Sequence, residues 1–251
     1  MQAWLLVVAM LVSVVTGIGT TKTAKAATKM GVTYTVHVQT YGDQQGWVHD
    51  GMMAGTKGQA KRLEEIRVKL TGDEYSGSIQ YKTHIQSYGW QDWSYNGEKS
   101  GSRGQAKRLE GIEIQLTGEV AKHYDVVYRV HCQTYGWMDW VSDGALSGTS
   151  GQAKRLEAIR IRLTGELAQH YDIYYRIHAQ TFGWMGWAKN GESAGTAGYG
   201  KRLEAIQIML MKKGAAAPGA TVKGITQTTS KSFNAVSYTH LRAHETGAYL
   251  V

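Results

Sequence analysis

His84-Ile-Gln-Ser-Tyr88-Gly-Trp90-Gln-Asp-Trp93 begins a stretch of sequence that occurs four times in the chain, at intervals of 47 residues. The equivalent histidines are His37, His131 and His178. After its last Trp, each copy continues with Asn-Gly or Asp-Gly, a Gly-Thr-x-Gly-type turn, and Lys-Arg-Leu-Glu before an alternating apolar segment. Self-similarity at a fixed period of about 20–50 residues marks a repeat architecture. The chain is therefore predicted to be a tandem array of one small module, which favours a binding function because repeated binding surfaces gain avidity.

Alternation of apolar and polar side chains predicts two β-strands in each copy. In the second copy the alternation covers residues 79–86 at the start and 112–116 at the end. Asn96-Gly97 lies between them and favours a hairpin turn in which both residues adopt positive φ. Residues 119–124 and 166–171 predict no more than one helical turn each. The predicted fold class is therefore all-β.

The copies are expected to pack on one another, because a β unit of this size buries too little apolar surface to fold alone. The predicted repeats cover residues 32–72, 79–118, 126–165 and 173–210. We expect these tandem β-repeats to form a pseudo-threefold unit that resembles a β-trefoil or a β-prism. A linear β-repeat array is the alternative.

The N-terminus has the features of a signal peptide. The apolar run Ala3–Val15 is too short to span a bilayer and is followed by Ala24-Lys25-Ala26, a cleavage-site pattern. We predict residues 1–26 to be a signal peptide, with the mature chain secreted or at the cell surface and without a transmembrane helix. Removal of the signal peptide takes away Lys22 and Lys25 and lowers the net charge of the chain from +8 to +6.

The charge pattern argues against a nucleic-acid-binding protein, and the cysteine content excludes a fold held by internal disulfides. The basic residues recur at equivalent positions of the copies and form no run, which argues against nucleic acid as a partner. The single Cys132 stands where the other copies have apolar residues and cannot form an internal disulfide. It is predicted to be a small buried hydrophobic residue.

The C-terminal part of the chain departs from the repeat. Residues 211–222 include the only proline, Pro218, and predict a linker. Residues 223–235 are expected to begin a further segment that is cut short. Residues 236–251 have no counterpart in the copies, and Val236–Thr246 resembles a translated sequencing adapter. We therefore expect this end to be an assembly artefact that takes no part in the fold.

The combination of Gly-Trp-x-x-Trp, Asn/Asp-Gly, Gly-Thr-x-Gly and Lys-Arg-Leu-Glu-x-Ile-x-Ile-x-Leu resembles the clostridial hydrophobic repeat with a signature Trp, the ChW repeat. The resemblance covers about residues 32–210. It implies an exported surface protein of Firmicutes type, with an accessory role beside adhesion modules or wall-degrading enzymes. It implies no assigned ligand. The first copy departs from the pattern, because residues 41–47 gain one residue and lose the first Trp.

The two Trp residues of each copy are predicted to have different roles. The second Trp is present in every copy and is predicted to lie in the core, since loss of a buried Trp costs about 3–5 kcal/mol; these residues are Trp47, Trp93, Trp140 and Trp187. The first Trp is absent from one copy and is the better candidate for an exposed surface that stacks on a sugar ring. With the turn residues that could bond sugar hydroxyls, the candidate ligand-binding residues are Trp90, Trp137, Trp184, Asn96, Asp143 and Asn190. Plain packing and turn formation are the alternative roles for this set.

The repeated polar residues suggest structural roles. Each histidine is predicted to be hydrogen-bonded beside the repeated Gln, with ligand contact as the alternative. The Arg and Glu of Lys-Arg-Leu-Glu share a strand face and are expected to pair. No second recurrent acid accompanies the Glu, as glycoside hydrolysis would require. Outside the adapter-like end, where His240 and His244 are four residues apart, no His or Cys spacing typical of a metal site is present. We therefore predict no catalytic residues, no metal and no cofactor.

The predicted function is a non-catalytic extracellular module that binds glycan or cell-wall polymer through repeated aromatic sites. A protein–protein adhesion or surface-assembly module is the first alternative, with a surface protein as its partner. The second alternative is the targeting region of a larger secreted enzyme.

Overall fold

The computed structural model describes residues 31–43, 45–72, 75–222 and 224–227. The predicted signal peptide, the adapter-like end and most of the predicted further segment lie outside these residues. The strands are β1 (Gly31–Val38), β2 (Val48–His49), β3 (Ala54–Gly55), β4 (Leu63–Thr71), β5 (Gly77–Ile85), β6 (Gly89–Trp90), β7 (Ser94–Tyr95), β8 (Ser100–Gly101), β9 (Leu109–Gly118), β10 (Tyr124–Cys132), β11 (Gly136–Trp137), β12 (Ser147–Gly148), β13 (Leu156–Thr164), β14 (Tyr171–Ala179), β15 (Gly183–Trp184), β16 (Ala188–Lys189), β17 (Ala194–Ala197), β18 (Leu203–Lys212) and β19 (Ile225–Gln227).

Each copy is built on two long antiparallel strands. The pairs are β1 with β4, β5 with β9, β10 with β13, and β14 with β18. They correspond to the two predicted alternating strands, so the all-β prediction is confirmed. Two short helices, α1 (Val120–His123) and α2 (Gly165–His170), lie where single helical turns were expected.

The four copies close into a ring with four propeller-like blades. Each copy lends a short strand to the sheet of the copy before it: β8 pairs with β4, β12 with β9 and β17 with β13. The same pairing joins β3 of the first copy to β18 of the fourth. This fourfold closure differs from both the pseudo-threefold unit and the linear array that we expected. The reason is that all four junctions have the same geometry, so no copy is left outside and no junction is left open.

Four tyrosines, one in each copy, join neighbouring blades. Tyr34, Tyr81, Tyr128 and Tyr175 are at most 1% exposed. The hydroxyl of Tyr81 accepts a hydrogen bond from the Val68 N–H of the preceding copy at 2.9 Å and donates to a carbonyl of its own copy. Equivalent bonds occur at the other three tyrosines. Each phenol therefore satisfies its polar end while it fills the core between two blades.

A glycine lets each lent strand approach its neighbour closely. Gly101 in β8 has a φ of +142°, and a Cβ there would lie 2.3 Å from the carbonyl oxygen of Glu64. Gly55 in β3 has a φ of +117° and the same 2.3 Å approach to the carbonyl oxygen of Glu204. Only glycine fits such a position. This explains the first glycine of the repeated Gly-Thr-x-Gly motif.

The blades surround an apolar cavity of about 90 Å³ on the ring axis. All four copies contribute to its wall, chiefly through one Leu and one Ile each: Leu63, Leu109, Leu156, Leu203, Ile66, Ile112, Ile159 and Ile206.

Cys132 is fully buried in its strand, and burial raises the pKa of its thiol to about 12. The prediction of Cys132 as a buried hydrophobic residue is confirmed.

Candidate functional site

The second Trp of each copy packs at the seam with the next copy. A Cβ on Gly97 would lie 3.1 Å from Cη2 of Trp47, and a Cβ on Gly144 would lie 3.1 Å from that of Trp93. Trp140 meets Gly191 in the same way, and Trp187 meets Gly51 across the closure of the ring. The second Trp thus covers the Asn/Asp-Gly turn of the following copy.

This position at the seam is only partly a core position. Trp187 is 4% exposed, whereas Trp93 and Trp140 are half-buried and Trp47 is 40% exposed. The prediction of a core role is therefore wrong for Trp47, because the turn on which it packs is itself exposed at Asn96, whereas Gly219 lies against the indole of Trp187. The presence of this Trp in all four copies reflects contact between copies.

The first Trp of copies two to four lies across a short strand pair from the repeated histidine. His84 and Trp90 are register partners, and their rings meet edge to face with centroids 5.4 Å apart. The cation of Lys82 lies 5.0 Å from the ring centre of Trp90 and 4.9 Å from that of Trp93. Trp137 and Trp184 are bound in the same way, by Arg129 and Arg176.

These first Trp residues are half-buried, and each already has a cation over its ring. A cation–π contact of this kind contributes about 0.5–2 kcal/mol. The first copy lacks both the first Trp and its cation, because it has Asp43 at the position of Trp90 and Thr35 at the position of Lys82. The paired loss indicates that this Trp and its cation form one packing unit.

The candidate turn residues form hydrogen bonds within the protein, across a seam in one case and inside their own copy in the other two. Asn96 has a φ of +34°, and its Oδ1 accepts a hydrogen bond from the Leu70 N–H of the first copy at 3.3 Å. Oδ1 of Asn190 accepts from the Ile173 N–H at 3.0 Å. Asp143 has a φ of +51° and bonds the hydroxyl of Ser142 at 3.1 Å. Each candidate turn residue therefore has a structural partner already.

The four repeated histidines are buried, and those of the first two copies accept a hydrogen bond from the following copy. Nε2 of His84 accepts a hydrogen bond from the Gly151 N–H of the next copy at 3.2 Å, and the ring's Nδ1 faces Glu110 at 3.5 Å. A neutral imidazole that accepts at Nε2 carries its proton at Nδ1. The predicted hydrogen bonding is confirmed for His37 and His84. The carboxylate nearest to Nδ1 is that of Asp43 in the first copy and that of Glu110 in the second, and the partner is not the repeated Gln.

The recurrent glutamates lie away from solvent. Glu64, Glu110, Glu157 and Glu204 are at most 1% exposed. Arg108 bonds Glu110 at 3.1 Å, so the predicted pairing is confirmed in the second copy. In the first copy, burial raises the pKa of Glu64. Among the residues the structure describes, no group of three or more His, Cys, Asp or Glu could hold a metal ion.

A different set of aromatic side chains points into solvent. Tyr41, Tyr88, Tyr135 and Phe182 are 36%, 54%, 54% and 38% exposed. They occupy one equivalent position in the four copies, just before the repeated glycine. We call residues 40–42, 87–89, 134–136 and 181–183 the aromatic turns.

The backbone of each aromatic turn adopts a costly conformation. The residue before each exposed aromatic has a positive φ, from +68° to +77°, although it is Thr in three copies and Ser in one: Thr40, Ser87, Thr134 and Thr181. A left-handed conformation costs a non-glycine residue about 1–3 kcal/mol, and such strain concentrates at functional sites. The same strain in four copies holds one aromatic side chain outward in each.

A lysine accompanies three of the aromatic turns. Nζ of Lys107 lies 5.7 Å from the ring centre of Tyr88 and 3.5 Å from the hydroxyl of Ser87. Lys61 and Lys154 occupy the same place in the first and third copies. The fourth turn differs, because Phe182 packs edge to face on Tyr199 with centroids 4.9 Å apart.

The aromatic turns were missed from sequence because a Tyr beside Trp in a hydrophobic repeat has the composition of a core position. The available signal was their place between a hydroxyl residue and a glycine in every copy. The four junctions pair equivalent residues, which relates the copies by rotation about the ring axis and places the four turns at one level of the ring. The molecule therefore presents four similar exposed sites together.

Within the described part of the chain, no helix has the length and apolar character needed to cross a membrane.

A family model supports the repeat assignment. The model described as Clostridial hydrophobic W, or ChW, matches residues 37–72, 84–118, 131–165 and 178–212, which together make up more than half of the chain. No curated protein and no solved structure matches the chain. Each matched segment runs from the repeated histidine of one copy to the end of its second long strand, and the chain therefore belongs to the ChW repeat family.

Proposed function

We propose that this chain is a non-catalytic extracellular module that binds polysaccharide or cell-wall polymer through its four aromatic turns. The observation that carries the proposal is the exposure of Tyr41, Tyr88, Tyr135 and Phe182 on strained turns at one level of the ring. Membership of the ChW family supports an extracellular location. The proposal moves the ligand site from the first Trp residues, which are half-buried beside cations, to the aromatic turns.

The chemistry of each turn suits a sugar polymer. A flat aromatic ring can stack on the apolar face of a sugar, and its polar edge stays in water. The ammonium of Lys107 and the hydroxyl of Ser87 lie beside Tyr88 and can bond sugar hydroxyls or acidic substituents. The positive net charge of the chain favours an anionic polymer over a neutral one.

The ring arrangement favours a long ligand with a repeated unit. A single exposed aromatic ring contributes a weak contact. Four equivalent contacts on one rigid body act at a high effective concentration and can raise avidity by about 10²–10⁴-fold. A polymer with many identical units can occupy several turns at once.

Retention on insoluble polymers tests this proposal. Purified protein is incubated with peptidoglycan and with plant and mucin polysaccharides, and the bound fraction is measured for wild type, Tyr88→Ala and Tyr135→Ala. Tyr95→Ala is the matched control, because Tyr95 is 48% exposed but lies outside the aromatic turns. We expect weaker retention on at least one polymer for the two turn variants only. Absence of retention of folded wild type on every polymer would count against the proposal.

A surface protein is the second candidate ligand, and one observation favours it. In the fourth turn Phe182 packs on the half-buried Tyr199, so this site contains two aromatic rings. Aromatic residues of this kind are enriched in protein interfaces. Under this candidate Phe182→Ala abolishes binding to a protein partner, whereas Tyr88→Ala has little effect. Either ligand is compatible with a ring that targets a larger secreted enzyme.

A further inference from the structure

The chain that follows the ring returns to the fourth copy and lies along it. We call residues 219–222 and 224–227 the strap. The Trp187 backbone N–H donates to the Ala220 carbonyl at 2.8 Å. Further on, the Gly195 N–H donates to the Gly224 carbonyl at 3.0 Å, and β19 pairs with β17 in parallel. The strap thus adds a strand to a sheet edge, which is how many proteins bind extended peptides.

The surface under the strap is shaped to receive a backbone. A Cβ on Gly186 would lie 2.3 Å from the carbonyl oxygen of Val222. From the other side, a Cβ on Gly224 would lie 2.9 Å from the carbonyl oxygen of Ser193. Both distances are too short for a side chain, so glycine is required on the ring and on the strap. Trp187 is 4% exposed beneath this contact, and a Cβ on Gly219 would lie 3.1 Å from its Nε1.

The other copies do not have this surface. Asp92 and Asp139 stand where Gly186 stands, in the second and third copies. Their Cβ atoms would occupy the path that the strap backbone takes in the fourth.

The first copy closes the same sheet edge with a side chain. The Gly55 N–H donates to Oε1 of Gln45 at 2.8 Å, and Nε2 of Gln45 donates to the Gly55 carbonyl at 2.6 Å. The amide of Gln45 thereby acts as a substitute for the peptide group that the strap presents to Gly195. The edge glycine is therefore paired with an amide group in both copies. The amide is the Gln45 side chain at Gly55 and the strap backbone at Gly195.

The segment that leads to the strap is also fixed where it leaves the ring. The buried carboxylate of Asp172 accepts a hydrogen bond from the Gly214 N–H at 2.9 Å and pairs with Lys213 at 3.0 Å. Burial alone raises the pKa of Asp172, but these partners, with Lys189 and Asn190, hold it well below its usual range. The third copy has Asp125 at this position, and burial raises its pKa. The segment that leads to the strap is therefore anchored by a carboxylate environment specific to the fourth copy.

We propose that the fourth copy carries a peptide-binding groove, formed by Gly186, Trp187 and the outer edge of β17, and that the strap of the same chain occupies it. The ligand class is an extended peptide with glycine at the two points of closest approach. This inference is independent of polysaccharide binding by the aromatic turns. It assigns the groove as the attachment point for whatever follows the ring.

Four full-length proteins test the groove: Gly186→Asp, Gly224→Val, the double variant, and Asp139→Gly as the matched control in the third copy. Gly186→Asp leaves the fold intact, because copies two and three carry Asp there. Amide hydrogen exchange is followed at Gly195 and residues 225–227. We expect exchange to be at least about 10-fold faster in the three variants at positions 186 and 224, and unchanged in Asp139→Gly.

A labelled peptide of residues 217–227 then tests binding in trans by fluorescence polarisation. The wild-type strap competes at an effective concentration on the order of millimolar, so wild type should bind the peptide weakly. Gly224→Val frees the groove without changing it and should bind at least about 10-fold more tightly than wild type. The double variant should lose that gain. Equal binding to Gly224→Val and the double variant, or unchanged exchange in Gly186→Asp, would overturn the proposal.

Discussion

The hydroxyl of Tyr34, in the first copy, accepts a hydrogen bond from the backbone N–H of Ile208, in the fourth, at 2.8 Å. The two residues are 174 positions apart, yet the bond is the same as the one between Tyr81 and Val68 at the first seam. The first and fourth copies are therefore joined by the same tyrosine hydrogen bond that joins neighbouring copies along the chain. The four copies are expected to fold and unfold as one cooperative unit.

Tyr34→Phe tests this closure. The change removes one hydroxyl and leaves the Ile208 N–H and the Met52 carbonyl without that partner. We expect a loss of about 1–3 kcal/mol in the free energy of unfolding, since unpaired buried polar groups cost this much. Urea denaturation measures the loss, and Tyr95→Phe, on an exposed ring, is the control. A value equal to that of wild type would mean that the hydroxyl does not hold the seam.

Gly101→Ala tests the lent strands. The new methyl group would lie 2.3 Å from the carbonyl oxygen of Glu64, so β8 must move away from β4. Gly104→Ala is the matched control, because Gly104 also has a positive φ but has nothing within 4 Å of its Cβ position. The control should lose about 1 kcal/mol, as expected for alanine in a left-handed conformation. Gly101→Ala should lose clearly more, by thermal or urea unfolding, and equal losses would contradict the close approach.

The buried histidine of the fourth copy predicts a dependence of stability on pH. Burial lowers the pKa of His178, a shift that Lys57 reinforces and Glu204 opposes. A histidine with a lowered folded-state pKa binds protons more readily when unfolded, so stability is full above the unfolded value of about 6.5 and falls as pH decreases below it. We expect the free energy of unfolding to decrease between about pH 7 and about pH 5.

His178→Gln should make this decrease shallower. His49→Gln is the control, because the side chain of His49 is 66% exposed. Urea unfolding at several pH values measures the slope of each protein. The interpretation fails if His178→Gln keeps the wild-type slope.

Local features of the fold were predictable because they depend on neighbours in sequence. Alternation over residues 79–86 predicted β5, and Asn96-Gly97 adopts positive φ at both positions, as expected for its hairpin. The closure of four copies into one ring was not predictable, because it depends on the angle between copies. That angle is set by backbone contacts such as Gly101 on Glu64, which no periodicity reveals.

Site residues were harder to predict, because presence in every copy does not distinguish a core from a seam. Every copy has a Trp at the position of Trp47, and Trp47 is nevertheless 40% exposed. Tyr88 recurs too, and its exposure follows from the left-handed Ser87, which composition does not disclose. Positive φ at a non-glycine residue was the missing signal, and it requires coordinates.

The most direct test of the proposed function is a binding series in which the aromatic turns are removed one at a time. Tyr41, Tyr88, Tyr135 and Phe182 are changed to Ala in single, double, triple and quadruple variants, and affinity for the retained polymer is measured by titration. We predict a stepwise loss that reaches about 10²-fold or more in the quadruple variant, with Tyr95→Ala unchanged. A folded quadruple variant that binds as wild type does would contradict the proposed function.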